Sequence, residues 1–330
     1  MTGEIPSRIV LMHTVNTPLS QPFMYRTVAA ILFFFSTVGN AAAASSFAGE
    51  FLSLGAGARA LALGSAYVAL ADDPTAVYWN PAGLTRLSQK QLHLTHAERF
   101  AGMVDHDFAA IARPGKRLHG VGVALLRVGV NDIHFTELAD PGRPLSQDNR
   151  PYIRSTEASA DYALYVSLAH RLRTSLSLGA SIKMIYRQVA SFSAYGLGLD
   201  LGLNYQLRPG LSIAATLRDI TSTPIIWNTD ANDRISPSIL LGATYQLKVA
   251  GGRATVALAS RAGGDAVEGT PLHTGVEYRY RSLALRGGLE EDRQSLGLGL
   301  QPHRRVTLDF AYLQHDQLES TYQLSANVSF

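Results

Sequence analysis

The chain holds 330 residues with 29 basic and 26 acidic side chains, a net charge of +3 and no cysteine. The absence of cysteine excludes the disulfide framework that small secreted globular domains use, whereas a barrel closed by its own ladder of hydrogen bonds needs none. Nucleic-acid binding is excluded on pattern, because no basic stripe interleaves with aromatic residues.

The first element in chain order is a leader over 1–44. Residues Met1 to Phe23 are polar and patternless, which places the expected biological start at Met24. Arg26, the apolar run Val28 to Phe35 and the Ala41-Ala42-Ala43-Ala44 tract then read as a secretory signal peptide with cleavage near Ala44. A spanning helix needs about 20 apolar residues, and this run falls short. No later segment is long and apolar enough either, so membrane residence has to come from strands.

Residues 45–88 form the second element. Gly55-Ala56-Gly57-Ala58-Arg59-Ala60 matches the dinucleotide fingerprint with alanine as its last member, but no strand precedes it and the Asp72-Asp73 pair comes too early for a ribose contact. No cofactor is expected. A tract so rich in glycine and alanine instead packs backbone against backbone, and Asn80-Pro81-Ala82-Gly83-Leu84 builds a tight turn. The Ala58-Arg59-Ala60 start, the acidic pair and the Asn-Pro-Ala-Gly-Leu end together closely resemble the N-terminal signature of PorV/PorQ-like proteins, which belong with the FadL-like outer-membrane barrels. The resemblance implies a hatch plugging a barrel lumen, with Arg59, Asp72, Asp73, Asn80, Pro81 and Gly83 as hatch or gate residues.

Residues 89–330 alternate in polarity with period 2. Strands are expected near 89–99, 104–113, 118–137, 155–170, 174–190, 193–206, 211–222, 236–247, 252–262, 271–280, 282–290, 294–301, 304–313 and 319–330, about fourteen in all. Tyr195, Leu197, Leu199, Leu201 and Leu203 share one face, and Gly196, Gly198, Asp200, Gly202 and Asn204 the other. Charges within strands point to a polar lumen with lipid outside. The fold class is therefore all-β, a single antiparallel transmembrane barrel. Six connections are tight and basic, among them Pro114 to Arg117 and Pro302 to Arg305, and the others are mostly longer or more acidic. The short set is expected on the periplasmic side together with both chain termini. Tyrosines such as Tyr186, Tyr195, Tyr312 and Tyr322 fall at strand ends on the outward face, as interfacial girdles do.

The inward charges Glu157, Asp161, Lys183, Arg187, Asp200, Arg218, Glu277, Arg279, Arg286, Glu290 and Asp309 mix both signs, which favours a structural ion-pair network over an ion filter. His93 and His96, three apart on a strand, face opposite ways and make no metal pair. No Gly-x-Ser-x-Gly elbow occurs, and His170 has the wrong parity to serve Ser167, so the expectation is a protein without catalytic residues. In the long connection 221–236, Ile225, Ile226 and Trp227 are either a lid tucked into the barrel mouth or an exposed contact for a ligand or partner. At the C-terminus, Tyr322, Leu324, Val328 and Phe330 share the apolar face, and Phe330 resembles the terminal signal that outer-membrane barrels present to their assembly machinery.

Two activities follow from the resemblance. FadL-like proteins imply uptake of a hydrophobic small molecule across the outer membrane. The PorV likeness implies a non-enzymatic partner of a type IX secretion translocon, binding secretion-system subunits. A general diffusion porin ranks below both, because the hatch would block the pore. Other partners implied are outer-membrane lipids and the barrel assembly machinery.

Overall fold

The computed structural model describes residues 48–229, 231–264, 271–315 and 319–330. The expected leader over 1–44, and parts of three long connections, lie outside the described residues. Sixteen strands follow one another: β1 (Gln91–Arg99), β2 (Val104–Arg113), β3 (Gly120–Leu138), β4 (Pro151–Arg173), β5 (Leu176–Val189), β6 (Phe192–Arg208), β7 (Leu211–Arg218), β8 (Thr223–Trp227), β9 (Asn232–Ile235), β10 (Ser238–Val249), β11 (Gly252–Gly263), β12 (Leu272–Tyr280), β13 (Leu283–Glu290), β14 (Arg293–His303), β15 (Val306–Leu313) and β16 (Thr321–Ser329).

Fourteen of them close a ring. Each of β1 to β7 and β10 to β16 pairs antiparallel with its neighbours, β7 pairs with β10, and β1 meets β16 from Gln91↔Ser329 to Glu98↔Tyr322. Closure satisfies every strand edge, which open sheets cannot do in lipid. The parity read from the sequence sets the two faces. Leu197, Leu285, Leu296 and Leu324 are each about 60% exposed on the outside, while Lys183, Asp200, Glu277 and Asp309 are buried inside. Tyr162, Tyr186 and Tyr195 form a run of rings with centroids 6.1 and 5.1 Å apart, and Tyr322 lies 6.2 Å from Phe310 and 5.6 Å from Tyr312.

Two features differ from the sequence reading. The connection 221–236 is a hairpin, β8 with β9, whose first strand pairs with the start of β6 through Ala194↔Trp227 and Gly196↔Ile225. Alternation over five residues was hidden there by Pro224. Next, β4 runs well past the expected 155–170, because β3 and β4 pair on to Leu138↔Pro151 after β2 has stopped at Gly129 and β5 at Ser159. The result is a two-stranded hairpin projecting beyond the ring, with register shifts near Val130 and Phe135. Phe330 donates its N–H to Lys90 at the end of the barrel that carries the tight basic turns. Ala48, the first described residue, accepts a hydrogen bond from Arg187 near the tip of β5, at the opposite, loop-bearing end. The N-terminus expected near Ala44 lies outside the described residues.

Candidate functional site: the lumen and its N-terminal segment

Residues 48–88 occupy the space inside the ring. They form only single turns, Glu50–Ser53, Ala58–Leu61 and Ala76–Trp79, and the slightly longer 3₁₀ stretch Pro81–Arg86, because glycines at 55 and 57 with φ of 83° and 85° break helix propagation. Their apolar side chains Phe51, Leu61, Leu63, Tyr67, Leu70, Val77 and Leu84 are buried against inward groups such as Phe108, Leu126 and Tyr165. The segment thus supplies the core that a barrel wall alone lacks.

The turn at Asn80 shows how the fit is made. The Asn80 Oδ1 accepts from the Ala82 N–H, Pro81 occupies the first turn where no donor is needed, and Nδ2 donates to the carbonyls of Val68 and Leu203. Gly83 lies against the Ala71 carbonyl, and any Cβ there would collide with it. The wall answers in kind. Gly179 meets Pro81 and Ala82, Gly202 meets Asn80, Gly275 meets Leu63, and Gly288 meets Leu63 and Gly64, each too close for a Cβ. These glycines sit on the inward parity of their strands, a signal that the sequence offered and that was read only as a polar face.

Arg59 ties the segment to the wall. Its guanidinium donates to Asp72 at 2.6 Å, to the Tyr67 hydroxyl at 3.0 Å and to both oxygens of Glu277 at 2.9 and 3.1 Å. Glu277 also accepts from Arg286 at 2.7 Å, which reaches Asp309 at 2.7 Å. A second buried cluster joins Lys183 to Asp200 at 3.3 Å and Asp219 at 2.8 Å, and Arg187 pairs with Asp161 at 2.8 Å. Most of the mixed inward charges therefore compensate one another as expected, while Arg218 and Glu157 form no ion pair among the described residues. Asp73 accepts from Tyr67, and from the Thr75 backbone and hydroxyl. Burial would raise its carboxyl, but His93, Arg59 and these donors outweigh that and hold it below the ordinary range. Burial, opposed by Arg59 and reinforced by Asp73 and Asp72, pushes the Tyr67 hydroxyl well up.

Among the described residues the segment leaves a cavity toward each end of the ring. At the loop end a vestibule of about 320 Å³ is floored by Leu61, Tyr78 and Trp79 and walled by Arg99, Arg218 and Arg261. At the turn end a polar recess of about 340 Å³ is lined by Asp72, Arg86, Gln206, Ser212, Thr244 and Gln246. The candidate residues 225–227 divide between both readings by parity. Ile225 is wholly buried, Ile226 is 60% exposed on the outer face beside Tyr195, and Trp227 packs 5.7 Å from the Arg187 guanidinium while donating to Asp233. His93 faces in and His96 out, toward Asp107, as their spacing requires. His170 lies outside against His119, remote in orientation from the buried Ser167. Of the C-terminal group, Tyr322, Leu324 and Phe330 are exposed outward and Val328 is half-buried. Arg99 and Arg261 were missed in the sequence: Arg99 ends its strand, and alanines on both parities of β11 hide the inward one.

The fold is similar to solved structures of low sequence identity. The Ralstonia pickettii toluene transporter TbuX superposes with a TM-score of 0.57 at 14% identity, covering 84% of this chain and 98% of that one. The Pseudomonas putida toluene transporter TodX gives 0.55 at 13% identity, covering 84% and 99%. The CymD monoaromatic hydrocarbon channel gives 0.52 at 12% identity, covering 84% and 98%. No curated protein matches the chain in sequence. One family model does, over residues 35–199, a span that takes in the Gly/Ala-rich segment and strands β1 to β5 with the start of β6, and on it the chain belongs to UPF0164, an uncharacterised protein family.

Proposed function

We propose that this protein is a non-enzymatic outer-membrane barrel that transports an apolar small molecule, with residues 48–88 acting as the hatch. The observation that carries the reading is the placement of that segment between two cavities, anchored to the wall by Arg59 and by the Asn80 turn. Displacing Arg59, Asp72, Asp73, Asn80, Pro81 and Gly83 from their contacts would join the vestibule to the recess. The exposed apolar belt supports residence in lipid, and the likeness in fold to toluene transporters agrees with an apolar cargo. A lumen filled in this way disfavours a general diffusion porin. In this reading the turn end and Phe330 are periplasmic.

Native mass spectrometry of the purified barrel tests the reading. A small ligand with an apolar body retained in stoichiometric amount is the expected result, and a barrel that carries none and speeds neither toluene nor a small aromatic acid into proteoliposomes overturns it. A second reading, a partner of secretion-system subunits, draws on one observation. The β3–β4 hairpin projects beyond the ring with Phe135, Tyr152 and Ile153 about half exposed, and an isolated hairpin is marginally stable without a partner. Copurification of a large envelope subunit, lost when the hairpin is shortened, would favour it.

Assembly carries its own prediction. Phe330→Asp puts a charge where an exposed ring now packs near Lys90, 5.7 Å from its Nζ. The variant is expected to be lost from the outer membrane, read as loss of the heat-modifiable band. Normal levels of that band would remove Phe330 from the assembly signal.

A further inference from the structure

We propose that the loop-end vestibule binds a compact organic monoanion, a carboxylate or sulfonate on a small aromatic or alicyclic body, between Arg218 and Arg261. This deepens the transport reading by naming the cargo, and it rests on that reading for the direction of travel.

The basic groups of this vestibule differ from those deeper in the lumen. Arg59, Arg286, Lys183 and Arg187 each face a carboxylate within 3 Å or slightly more. Among the described residues, Arg99, Arg218 and Arg261 form no ion pair. Arg99 donates to the Leu54 carbonyl at 2.8 Å and to His106 at 3.3 Å. Arg218 donates to the Tyr78 carbonyl at 3.1 Å, with its guanidinium 4.5 Å over the Tyr78 ring and 5.8 Å from that of Trp79. Register places Arg261 of β11 opposite Leu240 of β10 and Arg218 of β7 opposite Ser238, two residues along the same inward face. The acids that line the vestibule make no ion-pair contact with these three arginines. Glu290 is held by Ser65 at 3.1 Å and His273 at 3.7 Å, while Glu50 and Glu291 are exposed at the rim. Three deep cations thus share the cavity with one part-buried carboxylate, Glu290, whose charge reaches Arg99 and Arg261 without forming an ion pair with either, and with two exposed ones.

Partly buried cations without counter-ions are costly, and an anion that accepts from two guanidinium groups relieves that cost with charge-assisted hydrogen bonds. The remaining surface suits an apolar body, since Leu61, Leu240, Tyr78 and Trp79 line it. Its floor is closed by the segment within about 320 Å³, which fits a ring rather than an extended acyl chain. His315, whose buried Nδ1 has no partner among the described residues, adds a donor when that nitrogen carries the proton. Neutral hydrocarbons would leave all these donors unanswered.

The experiment is calorimetric titration of the detergent-solubilised full chain with benzoate, its neutral counterpart benzyl alcohol, and decanoate, together with proteoliposome uptake. Benzoate is expected to bind at least about tenfold tighter than benzyl alcohol, and Arg261→Gln to lose at least about fivefold of that affinity, the scale of a charge-assisted contact. Arg261 makes no hydrogen bond among the described residues, so this variant should fold where Arg218→Gln, which removes packing on Tyr78, can fail. Equal affinity for benzyl alcohol, tighter binding of decanoate, or an unchanged Arg261→Gln variant each overturns the proposal. Toluene uptake without anion preference would sink the inference and leave the transport reading. Benzoate binding with no solute crossing would sink the transport reading and leave the site.

Discussion

A chain that keeps its leader but lacks Ser46 to Leu84 is expected to insert as a heat-modifiable barrel and to admit small polar solutes into liposomes at least about tenfold faster than the full chain, since a fourteen-stranded ring emptied of its filling approaches an aqueous channel. The ring closes without the segment, because each ladder runs between two barrel strands. Its inner face would then be wet. Phe108, Leu126 and Tyr165 lose their apolar cover, at about 1.5 to 3 kcal/mol for each large side chain, so the shortened barrel should also melt earlier. Liposome swelling measures the first effect and thermal unfolding in detergent the second. An unchanged swelling rate would show that the segment does not close the lumen.

Glu277→Ala is expected to cost about 3 to 5 kcal/mol, the scale for breaking a buried ionic cluster by removing one partner. Glu277 is the carboxylate that Arg59 and Arg286 share, and its loss leaves these two cations facing each other with only Asp72 and Asp309, on their far sides, as remaining partners. Arg59→Ala should cost less, because Glu277 still has Arg286. If the shared carboxylate is the anchor, the double variant Arg59→Ala with Glu277→Ala will be more stable than the sum of the single losses predicts. Melting temperatures of the four proteins complete the cycle. A fall of only a degree or two for Glu277→Ala would show that the segment is held by packing at its glycine contacts, with the ion cluster contributing little.

Strand alternation, the order of short and long connections and the Asn80 turn were legible because each is a local property. Side-chain parity follows from the extended backbone over a few residues, so the fourteen strands, the buried Lys183 and Asp200, and the exposed Leu324 and Phe330 could be assigned before any pairing was known. The N-terminal segment was legible in the same way, as a short wording around Arg59, Asp72 and Asn80. Proline weakened the signal in β8, where the alternation of Ile225 and Ile226 was real but its partner strand was not visible.

Tertiary structure decided which of these groups meet. Arg59 and Glu277 are 218 positions apart, and nothing in either neighbourhood names the other. Register between strands sets Arg261 opposite Leu240 and Arg218 opposite Ser238 on β10, and so brings to one cavity two cations that make no ion pair among the described residues, from positions that alternation shows only as inward. The inward glycines, Gly179, Gly202, Gly275 and Gly288, acquire meaning only once the segment lies against them. Local polarity determines the face a residue occupies; the neighbour it finds there depends on ring closure and register, which are properties of the whole chain.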